Sequence, residues 1–146
     1  MQKFSRDSFN VNEAINELMH ESGVIVIKNA YNLNDIKEAR EIVNHFADTE
    51  EQKETHFNAE AEASKQIKLQ QRIWNLFGKG DIFSKLISDD IIFSLISKLL
   101  GSEFFCGSYC ASRLLPGSLG QELHIDYPYW DFYNSETFPM GLNSSF

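Results

Sequence analysis

Pro116-Gly-Ser-Leu-Gly-Gln-Glu-Leu-His-Ile-Asp-Tyr-Pro-Tyr-Trp130 is the stretch on which the reading of this chain turns. Pro116-Gly117 marks a turn, because Pro pre-sets φ for the first central position and Gly accepts the positive φ of the second. Gln121 to Tyr127 then reads as a strand. On a strand, residues two apart project from the same face. The imidazole of His124 and the carboxylate of Asp126 therefore stand side by side and can reach one metal ion. One further His would complete a set of two His and one carboxylate, which leaves open positions for small molecules and is diagnostic of non-haem Fe(II) oxygenases. The competing interpretation is an exposed His–Asp pair on a strand face, since a tripeptide motif is a hypothesis until its context agrees. Glu122 shares that face. It is about 13 Å from Asp126 on an extended strand, too far for one ion whose bonds are about 2 Å long.

Upstream, the spacing of apolar residues predicts helices. Asn10 or Asn12 caps a first helix with Ile15, Leu18 and Met19 on one face, and Gly23 ends it as the C′ residue. Val24 to Ile27 is a β-branched run that reads as a buried strand. Asn34 is the next expected cap, followed by Ile36, Ala39, Val43 and Phe46 at helical spacing. Asp81 and Asp89 cap two short helices, and Gly101 closes the second. From Phe104 to Leu115 the period changes to two, which predicts a strand. The expected class is therefore α+β, with a helical layer packed on a β-rich core. Residues 1–146 read as one incomplete domain, with 1–101 mainly helical around one early strand and 102–146 holding the first core strands.

Composition narrows the function. The chain has 146 residues, 42% of them hydrophobic, enough for one core. A net charge of −8 disfavours binding to phosphate backbones, so no nucleic-acid partner is expected. The N-terminal Met-Gln-Lys-Phe-Ser-Arg lacks the apolar stretch of a secretory signal, and Ile91–Leu100, interrupted by Ser94, Ser97 and Lys98, is too short and polar to span a membrane. Cys106 and Cys110 would lie about 13 Å apart on one strand, beyond disulfide reach, so both are expected reduced in a cytoplasmic protein. Asp48 to Gln66 is charged and poor in apolar anchors. It reads as a solvated loop or loose helix, or alternatively as a flap over an active site.

Other candidates weigh less. Arg113 either pairs with a carboxylate in a site or forms a structural ion pair. Trp74 and Phe77 read as core anchors. His20, His45 and His56 have surface or core roles by default. Tyr127, Tyr129 and Tyr133 form an aromatic run that lines a substrate pocket or packs the barrel mouth.

Several stretches together resemble the phytanoyl-CoA dioxygenase-like family across nearly the whole chain. They are Gly23-Val-Ile-Val-Ile-Lys28, Arg72-Ile-Trp-Asn-Leu76, Phe83-Ser-Lys-Leu86, Leu99-Leu-Gly101, Leu115-Pro-Gly117 and Gly120 to Trp130. The most specific parts are Gly-Gln-x-x-His-x-Asp and the Trp four residues after the Asp. The resemblance implies a double-stranded β-helix, a cupin-like jelly roll. It implies Fe(II) as the metal and 2-oxoglutarate as cosubstrate, with O2 and a small molecule or acyl derivative as further substrates. Oxidative decarboxylation of 2-oxoglutarate to succinate would be coupled to hydroxylation of an unactivated carbon. His124 and Asp126 match two iron ligands, Trp130 a position beside 2-oxoglutarate, and Gln121 a ligand-orienting or substrate-contacting position. Related halogenases carry a small residue where Asp126 stands, so the carboxylate points to hydroxylation.

The same resemblance requires a distal His and an Arg that clamps 2-oxoglutarate, and residues 127–146 contain neither. The chain is therefore expected to be a piece of a longer or split protein, to bind iron weakly and not to turn over 2-oxoglutarate alone. Two further interpretations stand beside the oxygenase. One is a non-catalytic β-fold binding or interaction protein with a structural His–Asp pair. The other is a hydrolase or isomerase on a cupin-like barrel holding Zn or Mn. The residues carry no signature of the substrate or of the oligomeric state.

Overall fold

A computed structural model of the chain describes residues 1–52, 69–120 and 143–145. Among these residues the protein is a small α+β fold of four α-helices and two two-stranded sheets. In chain order the elements are β1 (Gln2–Ser5), α1 (Val11–His20), β2 (Ile25–Lys28), α2 (Leu33–Thr49), β3 (Gln70–Ile73), α3 (Asp81–Ile87), α4 (Asp90–Leu100) and β4 (Ala111–Leu114). They divide into two units. One is built from Met1–Asn32, Lys85–Phe105 and the described part of Tyr127–Phe146, the other from the described parts of Leu33–Ser84 and Cys106–Asp126, with the boundary inside α3. The double-stranded β-helix itself is not seen among the described residues.

In the first unit β1 and β2 pair in parallel, Gln2 opposite Ile25 and Ser5 opposite Lys28. Parallel strands need a crossover, and α1 supplies it. The Asn10 side chain starts α1 by accepting from the backbone N–H groups of Asn12 (3.0 Å) and Glu13 (3.3 Å). Its Nδ2 donates to Glu13 Oε1 at 3.1 Å, a reciprocal arrangement akin to a capping box. Phe4, Ala14 and Leu95 are buried at the centre, surrounded by Phe9, Val11, Ile15, Leu18, Ile25, Ile27 and Ile91. The rings of Phe4 and Phe9 meet edge to face at 5.6 Å. α4 begins where Asp89 accepts from the Ile91 N–H at 3.0 Å and ends at Gly101, whose φ of 87° L side chains rarely adopt. Arg6 reaches Asp89 at 2.6 Å and the Ala30 carbonyl at 2.5 Å, joining the end of β1 to the start of α4.

The second unit packs α2 against β3 and β4. These strands are antiparallel, with Gln70 opposite Leu114 and Ile73 opposite Ala111. Ala39, Ala47, Ile73, Leu76, Ile82 and Phe83 are buried. Phe83, 1% exposed, meets the ring of Tyr109 edge-on at 6.1 Å, and its carbonyl accepts from the Tyr109 hydroxyl at 3.2 Å.

Several expectations need correction. β1 and β3 add two strands to the region read as helical with one early strand. Neither Gln-Lys-Phe-Ser nor Gln-Gln-Arg-Ile is strand-like in composition; each is held by its neighbour's backbone. α1 ends at His20, so Gly23 (φ 72°) lies beyond the cap Glu21 and donates its N–H to the Glu17 carbonyl at 3.2 Å. Met19 is exposed, and the buried face of α1 runs instead through Ala14. β2 is half-buried: Ile25 and Ile27 face the core while Val24 and Val26 are exposed. α2 begins at Leu33, which puts Asn34 in the first turn. α3 begins at Asp81 itself, so Asp81 is its first residue and not a cap before it.

The strand expected over Phe104–Leu115 shortens to Ala111–Leu114. Its partner turns away after Ile73, because Asn75 adopts a left-handed conformation (φ 55°) that a ladder cannot contain. Only the Leu76 N–H still reaches across, to the Tyr109 carbonyl at 3.3 Å. The same turn inverts which side chains are buried. Leu76 is 2% exposed, whereas Trp74 and Phe77, expected as core anchors, are 44% and 46% exposed.

Candidate functional site

β4 leads directly into the motif-bearing segment, and the turn between them is well defined. The Ser118 N–H donates to the Leu115 carbonyl at 3.0 Å, closing a four-residue turn with Pro116 and Gly117 at its centre. Gly117 has φ 89°, the conformation the second central position of a type II turn requires. The expected Pro-Gly turn is present for the expected reason. Backbone and side chain then hold it to β3. The Leu115 N–H donates to the Leu69 carbonyl at 2.8 Å, and Gln70 Nε2 donates to the Leu119 carbonyl at 2.7 Å.

Arg113, on β4, is the sequence-derived candidate that the structure describes. Its Nε donates to Gln71 Oε1 at 2.6 Å, and its Nη2 meets Asp48 Oδ1 at 2.5 Å. Nη1 lies 3.4 Å from both the carbonyl and the Oδ1 of Asn44. Gln71 Nε2 in turn donates to the Ala47 carbonyl at 3.2 Å. The guanidinium thus ties β3, β4 and the last turns of α2 into one polar cluster. The hydrogen bond from Arg113 holds the Asp48 carboxyl below the usual carboxylate range, against a smaller opposing effect of desolvation.

Gln121, His124, Asp126, Tyr127, Tyr129, Trp130 and also Glu122, Tyr133 and His56 lie outside the described residues. Of the other histidines, His20 is exposed at the end of α1, and His45 is exposed on α2 with its ring 5.2 Å from that of Phe46. Among the described residues no group of three or more His, Cys, Asp or Glu side chains is placed to hold a metal ion. Of the polar segment, Glu50 extends α2 by donating to the Phe46 carbonyl, and Gln52 Oε1 accepts from the Arg72 N–H at 2.8 Å. Residues 53–68 lie outside the described residues.

The exposed aromatic residues form a second feature of this unit. Trp74, Phe77 and Tyr109 border a shallow depression of about 350 Å3 with Asn75 and the Cys106–Ser108 loop. Phe77 and Tyr109 meet at 5.1 Å, and the Arg72 guanidinium lies 4.9 Å from the centre of the Trp74 ring. Cys106 and Cys110 are free thiols. Neither is on a strand, so their reduced state does not follow from the strand spacing first invoked for it.

The residues that the sequence left unmarked are Asn44, Asp48, Gln70 and Gln71. A glutamine pair between Leu69 and Arg72 carries no local signal; its meaning comes from β4 and α2, which are distant in sequence. No helix among the described residues is long and apolar enough to cross a membrane. Comparison with known proteins returns no matching family model, no matching curated protein and no matching solved structure.

Proposed function

We propose that the chain contributes to an Fe(II)- and 2-oxoglutarate-dependent dioxygenase, a hydroxylase of the phytanoyl-CoA dioxygenase-like kind built on a double-stranded β-helix. The observation that carries this reading is the spacing of His124 and Asp126, five and seven residues after Leu119, at which the anchored turn ends. The donor set fits as far as it goes. A neutral imidazole nitrogen and a carboxylate oxygen are two of the three ligands of the facial set. Bound together, Fe(II) and 2-oxoglutarate supply the activation of O2 that hydroxylation of a C–H bond requires.

The chain's own residues have distinct tasks in this proposal. His124 and Asp126 would hold the metal, and a carboxylate rather than a small residue at 126 favours hydroxylation over halogenation. Trp130 packs beside the cosubstrate and Gln121 orients it or meets substrate. Tyr127 and Tyr129 border the pocket for a small molecule or acyl derivative, while Arg113 serves the polar cluster that joins β3, β4 and α2. The distal His and the Arg for 2-oxoglutarate come from outside residues 127–146. A cytoplasmic location agrees with the free thiols.

The test is anaerobic Fe(II) binding by the purified chain, measured beside His124→Ala and Asp126→Ala. Binding that either substitution reduces at least tenfold is the expected outcome. Binding that both leave unchanged would refute the proposal and favour a structural His–Asp pair. Retention of Zn or Mn in place of iron after anaerobic purification would favour the cupin-type hydrolase or isomerase. Stoichiometric succinate formation from 2-oxoglutarate by the chain alone would show that the missing ligands are not needed.

A further inference from the structure

We infer that the depression beside Trp74 binds a flat, neutral heteroaromatic small molecule with a hydrogen-bond donor next to an acceptor on its edge, as an aminopurine has. The inference uses no residue of the proposed iron site and does not depend on that proposal. The depression holds about 350 Å3, within the range of small-ligand sites, and Trp74, Phe77 and Tyr109 form its aromatic walls. Trp74 and Phe77 are half-exposed, and large apolar surface gathered in one place marks an interaction site. The walls are held from behind. The N–H of buried Leu76 donates to the Tyr109 carbonyl at 3.3 Å, and the Tyr109 hydroxyl donates to the Phe83 carbonyl at 3.2 Å. Phe77 and Tyr109 meet at 5.1 Å with their planes 61° apart, so they form a corner. A ligand need not order these rings, which lowers the cost of binding.

The walls also define what fits. The depression is shallow, so a flat molecule stacked on a ring loses far more of its surface to the protein than a round one does. Its described border is uncharged: Trp74, Asn75, Phe77, Tyr109 and the Cys106–Ser108 loop. The Arg72 guanidinium lies 4.9 Å from the centre of the Trp74 ring, so a cationic ligand at that ring would meet a like charge. The net charge of −8 disfavours an anion. A neutral π system meets neither penalty. Asn75 supplies the polar contact. Its carboxamide presents an acceptor beside a donor, and it does not cap the 3-10 turn Leu76–Gly78 that follows. A Cβ at residue 78 would lie 2.8 Å from Asn75 Nδ2, so glycine there leaves the carboxamide its place. An Asn carboxamide matches the donor–acceptor edge of adenine with two parallel hydrogen bonds.

The probes are adenine, purine, which lacks the exocyclic amine, and AMP, each titrated into the full chain by ligand-observed NMR. Adenine is expected to bind about fivefold tighter than purine, the share of one net hydrogen bond. Asn75→Gly tolerates the left-handed backbone (φ 55°) and removes the carboxamide, so it should make the two bind equally. Trp74→Leu should weaken both about tenfold, the contribution of a stacked ring, and Phe77→Leu should weaken both by a smaller factor. No adenine binding up to its solubility limit, or binding unchanged by both Trp74→Leu and Phe77→Leu, overturns the site. Equal binding of adenine and purine to the wild type, or a preference for adenine that survives Asn75→Gly, overturns the assigned edge. AMP binding tighter than adenine overturns the neutral ligand. Single-stranded oligoadenylate binding tighter than adenine overturns the free small molecule in favour of a nucleic acid.

Discussion

Replacing Arg113 by Ala should destabilise the protein measurably, and the structure indicates by how much. The short bond from Nε to Gln71 Oε1 is partly buried and charge-assisted, a class worth about 1.5–3 kcal/mol. The contacts to Asn44 are long and add little. Asp48 has a side chain 66% exposed, so solvent screens that pair and it adds the smaller share. A loss of about 2–3 kcal/mol follows, or roughly 5–10 °C in Tm for a domain of this size. Arg113→Lys should fall between, because an ammonium keeps the charge but cannot reach Gln71 and Asp48 at once.

The pH dependence fixes the sign. Asp48 has its folded pKa lowered by Arg113, so its contribution is present above the unfolded value and is lost as pH falls through the folded one. The gap between wild type and Arg113→Ala in urea denaturation should be widest near neutrality and narrow below about pH 4. A gap under about 0.5 kcal/mol at pH 7, the size of an ordinary surface substitution, would show that the cluster is not structural. Loss of small-molecule carboxylate binding without loss of stability would instead make Arg113 a ligand-binding residue.

Three further expectations concern the scaffold. Gly117→Val places a β-branched side chain at φ 89° and should cost more than about 1 kcal/mol by thermal melting, with Gly120→Ala, whose added methyl meets nothing within 4 Å among the described residues, as the mild comparison. Asp89→Ala removes both the α4 cap and the Arg6 partner, and should lower stability by more than Asn10→Ala, itself about 1 kcal/mol; equal losses would mean that the Arg6–Asp89 pair contributes nothing. Phe83→Ala empties a site 1% exposed and should cost about 3–5 kcal/mol, read from the denaturation midpoint at constant slope; a loss below 1 kcal/mol would mean that the second unit has no organised core around it.

Local chemistry was legible from the residues themselves. Asn10 and Asp89 cap helices because a short side-chain acceptor reaches the first free N–H groups. Gly101 closes α4 and Pro116-Gly117 turns the chain because only these residues suit those backbone angles without strain. The α+β class followed from the change of period, and the proposal that His124 and Asp126 share a metal rests likewise on local spacing alone.

What tertiary structure decided lies at longer range. Gln2–Ser5 and Gln70–Ile73 are strands because Ile25–Lys28 and Ala111–Leu114 offer them hydrogen bonds, not because their own residues favour extension. The left-handed turn at Asn75 shortened the last strand and exchanged Leu76 for Trp74 and Phe77 in the interior. Arg113 found its acceptors on α2 and β3, 42 to 69 residues away, and Gln70 found Leu119 at a separation of 49. A single side chain has several donors and no preference among distant acceptors, and burial chooses between them only once the chain has folded. The spacing within Pro116 to Trp130 is by itself what supports the proposal that His124 and Asp126 share a metal ion. The fold determined how the chain is held at Leu119, the point from which those residues set out.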